Sequence, residues 1–542
     1  MNPQLYPMVR LTVPFIAGMV TANFCIRFIP LNMSVLFTIL CALLVFLFTT
    51  YPTRPPIKQG KGFGITAMLF AFFSGMTLFM HSYDHVSWKI AEKKGTIFHG
   101  IVAESPTRKP KTWSVKIHCE NGKQILAYIA RDSTETSCLL HPGDSIRFEA
   151  RHLQSTSPQY AESASATPSD SIGNQFSQYH KYLFYNGISA TCYVPRNGYT
   201  VTHTEPADRN LLARIRLLQN KAIAAYANAG IEGDAAAIIE SMTSGHKARL
   251  SKEMKEKYSR SGVSHVLALS GFHLTIIYTL LEFLLLGRVL RHRYRSIVRI
   301  VIMTCLWIFT VMAGMPPSLV RAALMCSFMI LSSILSRQSL SMNSCALAAL
   351  VMLIYNPLTL FDLGFQLSFI SMTGICVCGK PLCALCPTRN IIVRYLWGTV
   401  AISLTCTLFT APIIGLCFHY LPTFSVFSNL AVSVLASLIL YVAAFWWMLC
   451  WQENIKAMLT DILQWLTQTM NTIVSQISSW KYAVIEWQPS IAEVITLYIL
   501  IAFLVLFFKN KSSKNLIGIL STVVILCAIM ILRKTGCLPS II

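Results

Sequence analysis

Hydrophobic residues in this chain are gathered into long runs, which one polar region interrupts. Runs of about 20 apolar residues are long enough to cross the hydrocarbon core of a bilayer, and they recur along the chain. Because further apolar runs follow the first one, we expect it to be a retained helix and not a cleaved signal peptide. The pattern predicts a polytopic α-helical membrane protein with about 10–12 spanning helices, near residues 11–29, 33–51, 64–82, 264–287, 297–315, 318–336, 342–355, 363–379, 394–416, 423–451, 491–508 and 515–533.

The polar interruption covers residues 84–205 and contains no spanning run. Its short segments of alternating, β-branched and aromatic residues are typical of strands, and Gly, Pro and Asn separate them. Several short strands in about 120 residues indicate a small, OB-like β-barrel inserted after the third helix. The Ser/Thr/Ala-rich stretch 154–175 predicts a flexible loop. The strand-like segments are WSVKIHCE, KQILAYIARD, DSIRFEAR and GISATCYV.

Two other stretches, 208–229 and 455–477, place apolar side chains on one face of a helix. Such a helix either lies in the plane of the membrane interface or packs against the helical bundle, and the sequence favours neither arrangement. We therefore divide the chain into N-terminal helices, an outer β-domain, amphipathic helices and a membrane domain, with bounds 1–83, 84–205, 206–263 and 264–542.

Composition supports this assignment. Only 13% of the 542 residues are charged, whereas about 25% is typical of soluble domains, so a large soluble enzyme and a disordered chain are both excluded. The formal net charge is nevertheless +22. Residues 84–205 contain 13 Lys/Arg and 11 Asp/Glu, which leaves 32 basic and 12 acidic residues, a net charge of +20, for the membrane part.

The basic residues predict an orientation. Lys and Arg follow the second predicted helix, the fourth one (Arg288–Arg295) and the eleventh one (Lys509–Lys514). Placing these loops in the cytoplasm puts the N-terminus inside and residues 84–205 outside. Successive spanning helices should end on opposite sides of the membrane. With one span at 423–451, the next one would begin on the wrong side, so we expect a broken or re-entrant helix within 423–488. Orientation accounts for most of the excess charge, so the charge is weak evidence for a nucleic-acid partner.

Several motifs resemble, in the same order along the chain, those of the ComEC competence family of bacterial DNA-uptake channels. The resemblance covers nearly the whole chain and implies a channel, not an enzyme, that carries single-stranded DNA across the inner membrane during natural transformation. The matching segments are PGDSIRFEAR (142–151), YLFYNGISATCYV (182–194), SHVLALSGFH (264–273), AGMPPSLVRA (313–322), NPLTLFDLGFQLSFIS (356–371) and the Ser/Asn pattern of 424–429, which resembles a helix break.

The resemblance also implies partners. Longer family members end in a metallo-β-lactamase-like nuclease domain, but no His-x-His-x-Asp-His motif occurs here, so we expect a short form that depends on a separate nuclease. No G-x-x-x-x-G-K-[ST] loop occurs either. A cytoplasmic helicase-like ATPase and DNA-receptor and pilus proteins are therefore the implied partners, beside membrane lipids, and no cofactor is implied. A transporter or flippase of another anionic polymer or lipid remains the alternative.

Polar residues inside spanning segments mark candidate functional positions, because they are costly in lipid and usually face a cavity or a partner. Arg321 lines a pore, pairs with a group such as Asp362, or extends its charged end to the membrane interface. Asp362 shares a predicted helical face with Gln366. An intramembrane Ser/His hydrolase is disfavoured, since Ser270 lacks the strand–turn–helix context of a nucleophile elbow. Each candidate has a structural alternative in helix packing. The candidate channel-lining residues are His265, Ser270, His273, Arg321, Gln366 and Asn429.

The 17 cysteines lie mostly in apolar runs, where cysteine behaves as a small hydrophobic residue. Cys119 and Cys138 fall in the outer region and are candidates for a disulfide, as family members can carry one there, with Cys192 as a competing partner. The pattern C-x-C-x4-C-x2-C has the donor set for Zn²⁺, but we favour ordinary cysteines at the membrane edge and expect no metal. The pattern comprises Cys376, Cys378, Cys383 and Cys386.

Overall fold

The computed structural model is mainly helical. It describes residues 6–26, 28–50, 60–90, 96–104, 106–131, 140–158, 171–196, 198–202, 211–247, 249–286, 295–335, 341–449 and 451–535. Its α-helices are α1 Pro7–Cys25, α2 Leu31–Thr50, α3 Gly60–Val86, α4 Ser171–Tyr185, α5 Leu211–Asn228, α6 Gly233–Thr243, α7 Lys252–Arg260, α8 Gly271–Leu286, α9 Arg295–Met312, α10 Pro317–Ile334, α11 Ser341–Tyr355, α12 Leu363–Gly374, α13 Lys380–Cys383, α14 Ile391–Phe418, α15 Ser425–Met448, α16 Glu453–Ser479, α17 Ile491–Lys509 and α18 Ser513–Lys534.

The helices confirm a multi-pass membrane protein. Within the residues that the structure describes, nine helices are long and apolar enough to cross a membrane, α12, a π-helical turn (Ile375–Gly379) and α13 forming one of them. Three shorter apolar helices, Leu31–Leu47, Gly271–Leu285 and Ser341–Tyr355, correspond to the other predicted runs. The predicted spanning helices are therefore all present as helices.

Two predicted helix starts differ from the structure. The run predicted at 264–287 becomes helical only at Gly271, because Ser264–Leu267 forms a separate 3-10 turn and Ala268 is extended. The segment 424–429, which resembles a helix break, is instead the beginning of the continuous helix α15.

Residues 84–205 contain the predicted barrel. Five strands close on themselves in the order β1–β3–β4–β6–β5–β1, in which β4 and β6 are parallel and the other neighbours antiparallel. This is a small closed barrel of the kind found in OB-folds. The strands are β1 Thr96–Val102, β2 Thr107–Arg108, β3 Thr112–Cys119, β4 Gln124–Ala130, β5 Ser145–Ser155, β6 Ala190–Val194 and β7 Tyr199–Thr202, with β8 Tyr420–Pro422 and β9 Val484–Glu486 forming a separate pair.

Alternation in the sequence explains the barrel core. In β3, Trp113, Val115 and Ile117 point inward and are buried, while the residues between them are more exposed. This period of two is the pleat of a half-buried strand. The loop predicted at 154–175 is only partly correct, since β5 continues to Ser155 and α4 begins at Ser171; residues 159–170 lie outside the described residues.

Helix α4 joins the barrel to the spanning helices nearest to it. Its Leu183 packs on the barrel residue Leu126. Its Phe184, which is fully buried, lies 4.8 Å from the ring of Tyr83 in α3, and Tyr185 stacks at 5.1 Å on Phe361. Aromatic contacts of this kind add to the energy of burial. The barrel is thus fixed to its neighbouring helices by side-chain packing and not by the connecting chain alone.

The chain divides into two compact units: Met1–Ala222 with Trp307–Phe365, and Ile223–Leu306 with Gln366–Ile542. The first unit contains α1–α4, the barrel, α10 and α11. The second has its core between α15, α16 and α5–α7, where Trp446 lies 4.9 Å from the ring of Tyr226.

In the first unit, α1 and α3 are in close contact through two glycines. A Cβ on Gly18 would overlap the carbonyl oxygen of Phe72, and one on Gly75 would overlap that of Phe15. Small residues allow backbones to approach in this way, and close van der Waals packing is a main source of helix association in membranes.

We expect Gly75→Val to separate α1 from α3 and to destabilise the protein by at least about 1–3 kcal/mol, as overpacking does. Thermal denaturation of the purified protein in detergent measures the effect. Gly398→Val is the matched control, because among the described residues nothing outside its own helix backbone lies within 4 Å of a Cβ at that position. Equal melting temperatures for the two variants would contradict the close packing.

Candidate functional site

Arg321 is a buried cation in the first turns of α10. Its side chain is only 4% exposed, and its Nη2 donates to the carbonyl oxygen of Gly364 at 2.9 Å. Within the described residues its Nε is buried and has no hydrogen-bond partner. Among the described residues, the guanidinium is thus held by this hydrogen bond and its Nε keeps a free N–H, in a helix long and apolar enough to cross a membrane.

Asp362 lies on the same turn as Gly364. Its Oδ2 accepts a hydrogen bond from the backbone N–H of Phe365 at 3.0 Å, so it caps the start of α12. A Cβ on Gly364 would lie 2.9 Å from this Oδ2 and 3.9 Å from Nη2 of Arg321. The shared face predicted for Asp362 and Gln366 is therefore wrong, because Asp362 precedes the helix. Because Gly364 has no side chain, the guanidinium of Arg321 and the carboxylate of Asp362 can both approach its backbone.

Helix α4 brings aromatic side chains to this place. Burial, followed by the negative charge of Asp362, raises the pKa of Tyr182, and Tyr182 is still 52% exposed. The ring of Tyr185 stacks on Phe361, the residue before Asp362. Arg321 and Asp362 are thus next to the barrel's helix within the first unit.

A tyrosine cluster continues from Tyr182 onto the barrel. Tyr182 stacks on Tyr179 at 6.4 Å, and the hydroxyl of Tyr179 is 3.0 Å from that of Tyr128. The ammonium group of Lys109 lies 4.7 Å above the ring of Tyr128, a cation–π arrangement. Sequence reasoning missed this cluster, although the i, i+3 spacing of Tyr179 and Tyr182 would have shown a shared helical face.

His273 and Ser270 form a helix cap. The Nδ1 of His273 accepts from the backbone N–H of Ser270 at 3.3 Å and lies 3.1 Å from its Oγ, as the third helical residue does in a capping box. Because Nδ1 accepts a backbone N–H, the neutral ring is assigned its proton on Nε2. That Nε2 is buried and has no partner in the described part of the chain. His265 lies in the preceding 3-10 turn and is exposed.

Among the described residues, the contact between Ser270 and His273 lacks the third group of a serine hydrolase. A nucleophilic serine needs a base that a third group orients, and here the far nitrogen of His273 has no such group among the described residues. Nδ1 is also shared with a backbone N–H. The contact between Ser270 and His273 therefore supports helix capping better than it supports catalysis.

Asn429 connects two helices of the second unit. Its Nδ2 donates to Ser403 Oγ at 2.8 Å, which ties α15 to α14, while its Oδ1 is buried without a partner among the described residues. Gln366 is half-buried in α12. The structure brings Ser270 and His273 into contact, and it gives Arg321 and Asn429 other partners.

Three of the predicted residues share one property. Arg321, His273 and Asn429 each have one polar atom bonded and another buried and unbonded within the described residues. Buried polar groups in proteins nearly always have partners. An unsatisfied atom in a buried polar side chain is consequently a place where water or a ligand is expected to bind.

Glu240 is a further candidate functional residue, which the sequence patterns did not identify. It is completely buried in α6, bonded to Arg249 at 2.7 Å and to His246 at 3.1 Å. Its isolated position in the apolar segment AAAIIESM was the available signal, since a lone acid in such a segment needs a partner.

The clustered cysteines are free thiols in the structure. Cys376, Cys378, Cys383 and Cys386 are free, and no group of three or more His, Cys, Asp or Glu suited to a metal occurs among the described residues. In the barrel, Cys119 and Cys192 are free and buried in one core. Cys138 lies outside the described residues.

Comparisons with known proteins point to one family. Residues 242–511 match the family described as Competence protein. A segment of 192 residues is 27% identical to ComE operon protein 3 of Bacillus subtilis (strain 168), and it covers 35% of this chain and 24% of that protein. The chain is thus similar to about a quarter of that relative's length. No solved structure gives a significant match.

The two barrel thiols give a test that depends on pH. Burial raises the pKa of Cys119 to about 11 and that of Cys192 to about 12 from a usual value of 9.0. Since the thiolate is the reactive form, we expect both to resist alkylation at pH 8 in the native, reduced protein and to react only as the pH approaches 11.

The raised pKa values of the two thiols also make the free energy of unfolding of the barrel depend on pH. Their stabilising contribution is full below pH 9.0 and is lost as the pH rises through about 11. Peptide mass spectrometry after timed alkylation measures both thiols, with the exposed Cys383 as reference. Labelling of Cys119 at pH 8 as fast as that of Cys383 would contradict its burial.

Proposed function

The chain belongs to the competence protein family, as its motifs predicted, and from that premise we propose that it is a DNA-uptake channel. It carries single-stranded DNA across the bacterial inner membrane during natural transformation. Residues 84–205 face the periplasm in this proposal, and the chain is not an enzyme.

The observation that carries this proposal is the state of Arg321. It is a buried cation with an unbonded donor, Nε, in an apolar helix. Cations at membrane depth usually mark ion or substrate paths. A phosphate oxygen is a strong acceptor for a guanidinium N–H, so a passing phosphodiester can take the bond that Nε lacks while Nη2 keeps its bond to Gly364.

The tyrosine cluster extends this arrangement to the barrel. Exposed aromatic rings stack on the bases of single strands, and cations beside them attract the backbone. Tyr179 and Tyr182 are 40% and 52% exposed, and Lys109 lies over Tyr128. In the proposal the barrel captures DNA at the channel mouth and passes it towards Arg321. The alternative roles for the barrel are a gate, a scaffold or a docking module for another protein.

Other proteins complete the process. The chain contains no phosphate-binding loop for ATP, so a cytoplasmic helicase-like ATPase supplies the driving force. DNA-receptor and pilus proteins deliver the duplex, and a separate nuclease removes the second strand. A transporter of another anionic polymer or lipid would use the same cation, and the experiment below separates the two.

We expect deletion of the gene to abolish transformation by chromosomal DNA while labelled duplex DNA still accumulates in the periplasm. The reason is that only the inner-membrane step is lost. Colony counts and fluorescence microscopy measure the two steps, and the complemented strain is the control. Normal transformation in the deletion strain would overturn the proposal and favour the other anionic substrates.

For the cation, we expect Arg321→Met to lower transformation by roughly 10- to 100-fold, because a charged hydrogen bond of about 1.5–3 kcal/mol is lost. Arg321→Lys should retain part of the activity, since it keeps the charge. Arg295→Met, at an exposed arginine, is the matched control. Wild-type transformation by Arg321→Met at an equal protein level would exclude a role in the path.

A further inference from the structure

Helix α16, Glu453–Ser479, is long but not apolar. Its 27 residues give a length of about 40 Å, enough to cross a bilayer, although it is absent from the set of apolar spanning helices. The sequence left it either in the interface plane or against the bundle. The course of α16 relative to α15 decides between these two arrangements.

The two helices form an antiparallel pair over their whole length. Near the end of α15, Trp446 Nε1 donates to Thr460 Oγ1 at 3.0 Å. At the opposite end, the ring of Trp480 lies 4.9 Å from that of Phe424, which immediately precedes α15. Between these points, the buried apolar residues from Val432 to Trp446 of α15 and from Leu459 to Val474 of α16 belong to one hydrophobic core.

Helix α15 defines how far α16 extends across the membrane. It has 24 residues with the hydropathy of a membrane span. A helix that runs back along it from one end to the other also traverses the membrane. The strand pair β8–β9 agrees, since residues just after α14 pair with residues just before α17. The chain has thus returned to its starting side when α17 begins.

A crossing by α16 also removes the conflict in the predicted topology. With this additional span, α17 ends on the same side as the basic segment Arg288–Arg295, and Lys509–Lys514 fall on that side as the charge rule requires. No break in α15 is needed, and none is present.

The exposed side of α16 is polar. We call its central part the outer stripe: Asp461, Trp465, Gln468, Thr472 and Gln476. Their spacing places them within about 80° around the helix. Facing lipid would be costly, since an aspartate at the centre of a membrane helix costs about 2.5–3.5 kcal/mol. The outer stripe therefore faces water or a polar partner.

Helix α7 packs against α16, and its last turn reaches the strand pair β8–β9, where Ser259 contacts Tyr420. Its Tyr258 donates to Asn471 Oδ1 at 2.8 Å, near the middle of α16. The exposed face of α7 carries charges of both signs, namely Lys252, Lys255, Glu253 and Glu256. Exposed charged side chains require water or a polar partner around them, so the surface of α7 agrees with a polar environment beside this part of α16.

We propose that α16 is a membrane-crossing helix whose outer stripe lines a water-filled path, with Trp465 as a stacking platform for a single nucleic-acid strand. Trp465 is 63% exposed within the stripe, where an aromatic ring on the same face as the hydrogen-bonding amides of Gln468 and Gln476 suits the bases of a single strand. The choice of occupant rests on the proposed function, whereas the crossing and the water do not.

Cysteine accessibility tests the crossing. We expect Asn454→Cys and Ser479→Cys, at the two ends of α16, to react with a membrane-impermeant maleimide from opposite sides of oriented vesicles. Labelling of both from the same side would overturn the proposal, because a helix in the interface plane has both ends on one side. The unsubstituted chain, with its native cysteines, gives the background.

The same reagent tests the aqueous path. We expect Gln468→Cys and Thr472→Cys to react, and two controls to stay unreactive: Leu463→Cys, at a buried position of α16, and Val524→Cys, at an exposed apolar position of α18. Stripe positions as unreactive as Val524→Cys would overturn the proposal, whether lipid or a second copy of the chain covers them.

Transformation tests the occupant. Since stacking of one base is worth about 1–3 kcal/mol, Trp465→Ala should lower transformation by roughly 5- to 100-fold, and Trp465→Phe should restore most of it. Wild-type transformation by Trp465→Ala would exclude the stacking role. Cysteine accessibility does not depend on the substrate. A reactive outer stripe in a protein that carries no DNA would therefore contradict the proposed function but not the aqueous path.

Discussion

Polar groups at membrane depth must find partners inside the protein, because lipid offers none, and the arrangement of this molecule depends on that constraint. Arg321 bonds to the carbonyl of Gly364, His273 caps its own helix, and Asn429 bonds to Ser403. Each of these side chains keeps one buried atom unbonded within the described residues. The helices are thus held by polar side chains that do not use all their hydrogen-bonding atoms. This is expected where a polar substrate passes.

Within the first unit, a polar group of this kind lies beside the helix that joins the barrel to the spanning helices. Arg321 meets Gly364 and Asp362 at the start of α12, and the preceding aromatic residue, Phe361, stacks on Tyr185 of the barrel's helix. A charged site at the membrane is therefore adjacent to an exposed tyrosine surface. In the second unit, an amphipathic helix is stabilised by its apolar face against α15, and its polar face is left for water.

Much of this was determined by the sequence alone. Runs of about 20 apolar residues fix spanning helices because the bilayer sets their length, and alternation in residues such as Trp113 and Val115 fixes barrel strands because the pleat has a period of two. The polar residues within apolar runs identified Arg321, His273 and Asn429 as unusual, and the ordered motifs identified the family.

Only the tertiary structure decided what these residues contact and where the amphipathic helix lies. Asp362 became a cap and not a helical neighbour of Gln366, because a 3-10 turn ends there, and local periodicity does not show such a turn. Helix α16 has one apolar face, and such a face is equally compatible with a helix in the membrane interface and with one that packs against the helical bundle. Its contacts at both ends of α15, through Thr460 and Trp480, join residues that are remote in sequence. Long-range packing, which no single segment encodes, therefore set its depth.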